Sequence, residues 1–334
     1  MTSMTTLKTM TMTGKMTTDK YGAIPMVTLE ELVESQLETW PDARRNYAAL
    51  RETERRRIPL GDLDTAIQLN PARIRSTGAA VDKASVEARP CFLCAANRPM
   101  EQFSAQVAPE WELLVTPFPI LPMHFTIVSK THEPQGSVPL DMATIAERLP
   151  GMAVFFNGAR AGASAPDHLH LQAVLRDELP LLRLAEKRHD SDAGGFLTSE
   201  QLGLDVPFQF VSGIITPGMG GMVSLLKATA AFGIDARTGQ RDPRLVNAFF
   251  WTDVRGLMRV LIVPRRAHRP PHYFLADDKR LVISPGAIDM AGIMITPRRE
   301  DFSAVTSEIM RDIYGAVAFA DSLPREITEH FKTV

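Results

Sequence analysis

The sequence predicts an α+β fold of two halves, with largely antiparallel sheets flanked by helices. Three observations lead there: short β-type runs follow one another with few helices between them, the same texture returns after a connection at residues 186–207, and two strand ends in the two halves resemble each other. Residues 1–27, rich in Met and Thr, read as a disordered leader. Thr28-Leu29-Glu30-Glu31 has the form of a capping box and opens a helical preamble to about Arg57, broken at Pro41. Arg55-Arg56-Arg57 at its end reads as a solvated helix face. Strand-like runs follow at 66–69, 111–115, 125–128, 154–156 and 169–175, interrupted by one amphipathic helix at about 140–149. Beyond the connection come a strand at 208–211, a helix at about 222–231 entered through Gly218-Met219-Gly220-Gly221, strands at 248–251, 260–263, 281–283 and 293–295, and a last helix at about 302–320. Parallel pairing would need a crossover helix between successive strands, so strands in series imply antiparallel sheets. The run Val128-Ser129-Lys130-Thr131-His132 echoes Val263-Pro264-Arg265-Arg266-Ala267-His268, which suggests related halves.

The 334 residues carry a formal net charge of −2, with no basic surplus to recruit a polyanion, so no nucleic acid is expected and any phosphate met is on a small molecule. Two cysteines, Cys91 and Cys94, are too few and too close for a disulfide framework, which points to a reducing, cytoplasmic setting. No apolar run reaches the 18 residues or so of a membrane span and no signal peptide is legible, so no membrane partner is expected. Nothing in the sequence sets an oligomeric state.

The chemistry concentrates in His168-Leu169-His170-Leu171-Gln172. On a strand, His168, His170 and Gln172 share one face while Leu169 and Leu171 take the other, so the apolar face anchors and the polar face presents. A neutral imidazole is a good nucleophile near pH 7 and its phosphoramidate is labile; an amide such as Gln172 can donate to a phosphate oxygen without adding an acid. Two histidines on one strand face also suit a metal site or a satisfied core. The loop before them, residues 157–167, is rich in Gly and Ala, with Asn157 and Ser164 as polar donors and Arg160 as a phosphate partner; an ordinary turn of small residues is the bland alternative. Cys91-Phe92-Leu93-Cys94 supplies half of a tetrahedral zinc site that His132 and His168 would complete, with a redox dithiol or two buried thiols as the alternatives.

Together, Cys-Phe-Leu-Cys followed by Ala and Asn, a His at a strand end, Asn157, the small-residue loop and His-x-His-x-Gln resemble the galactose-1-phosphate uridylyltransferase branch of the histidine-triad superfamily. The Gly-Ala-Ser of the loop and the His-Leu-His-Leu-Gln core look even more like its phosphorylase branch, the diadenosine tetraphosphate and GDP-galactose phosphorylases. The resemblance covers roughly residues 65–175. It implies two histidine-triad-like halves, a catalytic one at 28–190 and a degenerate one at 191–334. It implies that His170 attacks the α-phosphorus of a nucleotide, that Gln172 holds a phosphate oxygen, that Arg73 binds phosphate and that Phe92 meets the base. Cys91, Cys94, His132 and His168 would ligate a structural Zn2+. The activity implied is nucleotidyl transfer through a nucleotidyl-histidine, with phosphorolysis of a nucleotide sugar or a dinucleoside polyphosphate by inorganic phosphate in first place. Transfer to a sugar-1-phosphate and a non-catalytic, zinc-stabilised nucleotide-binding protein are the alternatives. Two departures stand out: Asp167 lengthens the approach to His168, setting Ser164 one residue further back than the transferase's serine, and His268 lacks cysteine partners and reads as an ordinary surface histidine.

Overall fold

The computed structural model describes residues 15–16, 22–78, 83–190, 194–276 and 279–332. In chain order, β1 (Lys15–Met16) precedes helices α1 (Met26–Thr39) and α2 (Pro41–Arg51), strands β2 (Glu54–Arg57) and β3 (Ala66–Leu69), and the short helices α3 (Ile74–Thr77) and α4 (Lys83–Glu87). Strands β4 (Ser104–Ala108), β5 (Trp111–Val115) and β6 (His124–Ser129) follow, then helix α5 (Asp141–Arg148) and strands β7 (Met152–Asn157) and β8 (His170–Leu175). The chain continues through α6 (Pro180–Arg188), β9 (Gly195–Thr198), β10 (Val211–Ile215), α7 (Met219–Thr229), β11 (Gly233–Ile234), β12 (Arg241–Asp242), β13 (Val246–Thr252) and β14 (Met258–Pro264). It closes with α8 (Ala287–Met290), β15 (Ile293–Thr296), α9 (Arg299–Ala304), α10 (Ser307–Val317) and α11 (Arg325–Phe331).

Ten strands form one sheet in the order β1-β4-β5-β6-β8-β7-β13-β14-β10-β9, antiparallel throughout except where β1 lies along β4. Outward from the central β7–β13 pair, β7, β8, β6 and β5 on one side are matched by β13, β14, β10 and β9 on the other, and a helix joins the matched strands in each half: α5 between β6 and β7, α7 between β10 and β13. The order therefore has a twofold character. It equates β14 with β8, whereas the sequence echo equates β14 with β6; two similar strand ends of the same chemistry sit at different places in the two halves. Taking the paired Phe155 and Phe249, each the first of a Phe-Phe dipeptide, as equivalent sets a residue-level correspondence. Phe155 faces Phe249 across the centre, Phe155 pairs with Gln172 and Phe249 pairs with Leu261, so Gln172 corresponds to Leu261 and His170 to Arg259.

Strand alternation divides the sheet's side chains between two cores. Val154, Phe156, Leu171, Ala173, Ala248, Phe250 and Ile262 pack beneath α1, α5 and their neighbours. Phe155, Val174, Phe249, Trp251 and Leu261 face the opposite way, toward α6, α8, α10 and a second sheet of order β15-β3-β2. That small sheet joins the two halves, since β15 runs parallel to β3 with Ile295 opposite Gln68.

Several local expectations are corrected. The first helix starts at Met26 with Pro25 as its N-cap and no side-chain cap, so Thr28 and Glu31 lie inside the helix instead of forming a capping box. Arg55-Arg56-Arg57 is strand β2, held by pairing with β3, and not a helix face. Leu281-Val282-Ile283 finds no strand partner among the described residues: the Val282 N–H goes to the Asp301 carboxylate (2.9 Å). The last helix is broken at Val305-Thr306, where the Thr306 hydroxyl accepts from Ile309 N–H and caps α10. Most of the expected leader lies outside the described residues. Among the described residues no helix is long and apolar enough to cross a membrane.

Candidate active site

His170 opens β8 on the face that carries Gln172 and sits against a cavity of about 900 Å3. It is buried, and its Nδ1 lies 2.8 Å from the His168 carbonyl oxygen. A carbonyl only accepts, so Nδ1 carries the hydrogen and the Nε2 lone pair is left toward the cavity. Burial pushes the imidazole pKa below its ordinary value, outweighing the carbonyl that favours the cation. The ring is thus neutral at pH 7, the state a nucleophile needs.

The strands open at this point because a side chain is wedged between them. The last β7–β8 pair is Phe155 with Gln172, and the same register would next set Asn157 against His170. There the buried Gln135 side chain intervenes: it accepts the His170 N–H (2.8 Å) and donates to the Asn157 carbonyl (2.7 Å) and the His170 carbonyl (3.0 Å). All three backbone groups stay satisfied while the ladder is parted. Gln135 was not singled out from the sequence, since a loop glutamine bonded to main chain leaves no pattern.

Gln172 lies across the ladder from Thr126 and 2.8 Å from His124 Nε2 through its Oε1. The wall beside it is Pro117-Phe118-Pro119-Ile120, whose two prolines cannot donate. Its carbonyls are taken one by one by side chains: Asn46 to Pro117, Arg73 to Phe118 (2.8 Å), Asn70 to Pro119 and Gln68 to Ile120. Arg73 therefore lines the cavity with one nitrogen committed to the wall; burial draws its pKa down to about 10 against the pull of the Asp289 charge. Asp289 also lines the cavity, and burial raises its carboxyl to about 6 although the Ile295 and Gly286 N–H groups both donate to it.

Of the other expected residues, Phe92, Asn157 and Ser164 line the cavity and Arg160 does not. Phe92 is 47% exposed, with the Arg89 guanidinium 4.8 Å from its ring centroid and Arg89 itself held by Asp167 (2.8 Å). Asn157 Oδ1 is occupied by Asn247 Nδ2 (3.0 Å) and the Ala287 N–H (2.7 Å), a knot between the halves. Arg160 turns away to Asp235 (2.5 Å) and Asp242 (2.7 Å), carboxylates 75 and 82 residues downstream that outcompete a distant phosphate for the guanidinium. The small residues of the loop serve the same junction. Gly162 has φ +99°, and a Cβ there would lie 2.4 Å from Gly286 Cα, so no side chain fits. The second half also supplies His268, Arg269, Ser284 and Gly286 to the cavity wall. His268 is thus a half-buried wall residue, not a surface one, with its pKa drawn down to about 3 by burial and then by Arg269.

Behind His170, Cys91, Cys94, His132 and His168 converge, their ligand atoms all within 4.8 Å of one another. His168 Nε2 donates to the Ser129 carbonyl (2.8 Å), which leaves the Nδ1 lone pair facing Cys91 Sγ (3.3 Å) and Cys94 Sγ (3.6 Å), while His132 Nδ1 lies 3.2 Å from Cys94 Sγ. Tetrahedral bonds of roughly 2.3 Å to sulfur and 2.0 Å to nitrogen would set sulfur and nitrogen about 3.5 Å apart, so the cluster has the dimensions and donor set of a Cys2His2 metal site.

In the second half an arginine and not a histidine stands at the corresponding place. Arg259, the counterpart of His170, is buried and bound to the Asp253 carboxylate (2.8 Å) and to the His189 carbonyl.

Residues 32–175 match a family described as a domain of unknown function, DUF4922. No curated protein sequence matches the chain. Among solved structures, the yeast Ap4A phosphorylase Apa2 in complex with Ap4A superposes with a TM-score of 0.55 at 15% identity, over 88% of this chain and 99% of that one. Its complex with AMP gives 0.54 at 16% identity, over 87% and 99%, and the structure without a named ligand gives 0.51 at 16%, over 85% and 98%. The chain therefore has the fold of the yeast phosphorylase, as the histidine-triad resemblance led us to expect.

Proposed function

We propose that the chain is a nucleotidyltransferase of the phosphorylase type that works through a covalent nucleotidyl-histidine at His170. One observation carries the reading: a buried, neutral imidazole whose Nδ1–H is engaged and whose Nε2 lone pair faces a cavity of about 900 Å3, with Gln172 two residues along the same strand face. Complexes of the yeast fold relative with Ap4A and with AMP support a nucleotide as the occupant.

In the first step His170 Nε2 attacks the α-phosphorus of a nucleotide sugar or a dinucleoside polyphosphate. The new bond is N–P; the bond that breaks joins the α-phosphorus to the bridging oxygen, which leaves with its electron pair as a sugar phosphate or a nucleotide. A Gln172 amide proton stabilises charge on a non-bridging oxygen. In the second step an oxygen of inorganic phosphate displaces His170, the N–P bond breaks and a nucleoside diphosphate departs. Phe92, backed by the Arg89 guanidinium, stacks on the base, and Arg73 and Ser164 meet phosphate oxygens. The Cys91, Cys94, His132 and His168 cluster would hold Zn2+, which when bound supplies a cross-link between the Cys-x-x-Cys turn and the strand of the nucleophile.

Incubation with α-labelled nucleotide sugars and dinucleoside polyphosphates tests this. The parent protein traps label on His170, the His170→Ala protein traps none, and added phosphate discharges the label as nucleoside diphosphate. Discharge by a sugar-1-phosphate in place of phosphate makes the chain a transferase of the uridylyl type. Equal nucleotide binding by both proteins with no adduct in either sinks the enzymatic reading.

A further inference from the structure

We infer that His124 is a positioning residue that fixes which end of the Gln172 amide faces the reacting phosphate; this rests on the proposed nucleotidyl-histidine chemistry. The two ends of a primary amide differ only in being donor or acceptor, and a phosphate oxygen can be stabilised by one of them alone. The structure orients the amide through a chain of determined bonds. The Ile120 N–H donates to His124 Nδ1 (3.1 Å), so that nitrogen must be the unprotonated one. The hydrogen of the neutral ring is therefore on Nε2, which lies 2.8 Å from Gln172 Oε1 and donates to it. Oε1 is consumed, and the NH2 end is left for the cavity that Gln172 lines.

The upstream links are equally constrained. Ile120 is held on its carbonyl side by Gln68 Nε2 (3.2 Å), and Gln68 Oε1 in turn accepts from Arg55 Nε (3.0 Å). His124 is fully buried, and the Tyr47 hydroxyl donates to its carbonyl (3.3 Å). His124 Nε2 has Gln172 as its acceptor, and the other ring tautomer would set an Nδ1 hydrogen against the Ile120 N–H, two donors facing each other. The sequence carried a faint sign of it: His124 is two residues before Thr126, hence on the face that meets Gln172 across β6 and β8.

A double-mutant cycle on the rate of adduct formation tests the inference. Asn at position 124 can keep an acceptor near the place of Nδ1 but does not reach Gln172, so His124→Asn slows labelling of His170 about tenfold, the effect of one hydrogen bond. His124→Gln, whose longer amide can still donate to Gln172, recovers most of that loss. In the Gln172→Ala background His124→Asn has no further effect, because there is no amide left to orient. Gln172→Glu, which needs no change at the buried histidine, labels more slowly than Gln172→Ala, since a carboxylate would face the phosphate where a donor belongs. A tenfold loss from His124→Asn in both backgrounds, or a Gln172→Glu protein as fast as Gln172→Ala, overturns the inference. If the parent forms no adduct at all, the reading of the site has failed first.

Discussion

Replacing Gln135 separates the wedge between β7 and β8 from ordinary packing. Its side chain makes three hydrogen bonds, to His170 N–H, His170 carbonyl and Asn157 carbonyl, and is 1% exposed. Gln135→Leu keeps the volume, so the strands stay apart while all three backbone groups lose their partner. At about 1 kcal/mol for each net hydrogen bond, the cost is about 3 kcal/mol, a large part of the ordinary stability of a domain. Gln135→Ala removes the volume as well, and the register then allows Asn157 and His170 to close the ladder directly. The alanine protein should therefore lose less stability than the leucine protein, yet lose at least as much activity, because closing the ladder moves His170 off its line to the cavity. Denaturant unfolding of the three proteins gives the stabilities, and single-turnover labelling of His170 gives the activity. A leucine protein within about 1 kcal/mol of the parent, or one more stable than the alanine protein, would falsify the wedge.

Metal content gives a second test: the purified protein should hold one zinc per chain, and chelation or His132→Asn should lower the melting temperature measured by calorimetry while the loaded parent is unchanged. Acid sensitivity gives a third. Burial first, and then a nearby arginine in each case, draw His124 down to about 3 and His189 down to about 4. Unfolded histidines take up protons below about pH 6.5 while these two stay neutral, so stability is full above pH 6.5 and falls as the pH drops, by about 3 kcal/mol per unit for the pair until about pH 4. Unfolding midpoints between pH 7 and pH 5 measure it, and His189→Gln should lower the slope by about 1.4 kcal/mol per unit.

Where the sequence was legible, the reason is periodicity or short-range spacing. The alternation His-Leu-His-Leu-Gln put His170 and Gln172 on one face of a strand, and Cys-x-x-Cys with two histidines after it converged as a set. What could not be read depends on pairing between distant residues. Arg160 looked available because Asp235 and Asp242 lie far along the chain. His268 looked superficial because its burial comes from a cavity wall shared between the halves. Gln135 acts on main chain, which has no letter of its own, and Leu281-Val282-Ile283 has the composition of a strand but no edge to join. The echo between strand ends was real as letters, yet the strand order set β14 against β8, where Arg259 and not a histidine stands.

The small sheet has a consequence for biosynthesis. The strand of His170 ends at Leu175, but Gln68, which steadies the wall next to it, sits on a strand whose neighbour is β15, at Ile293–Thr296. The β7–β8 hairpin that bears His170 is thus complete in sequence more than a hundred residues before the strand that completes its surroundings. Chains that stop short of β15 therefore carry His170 without the part of its surroundings that β15 supports.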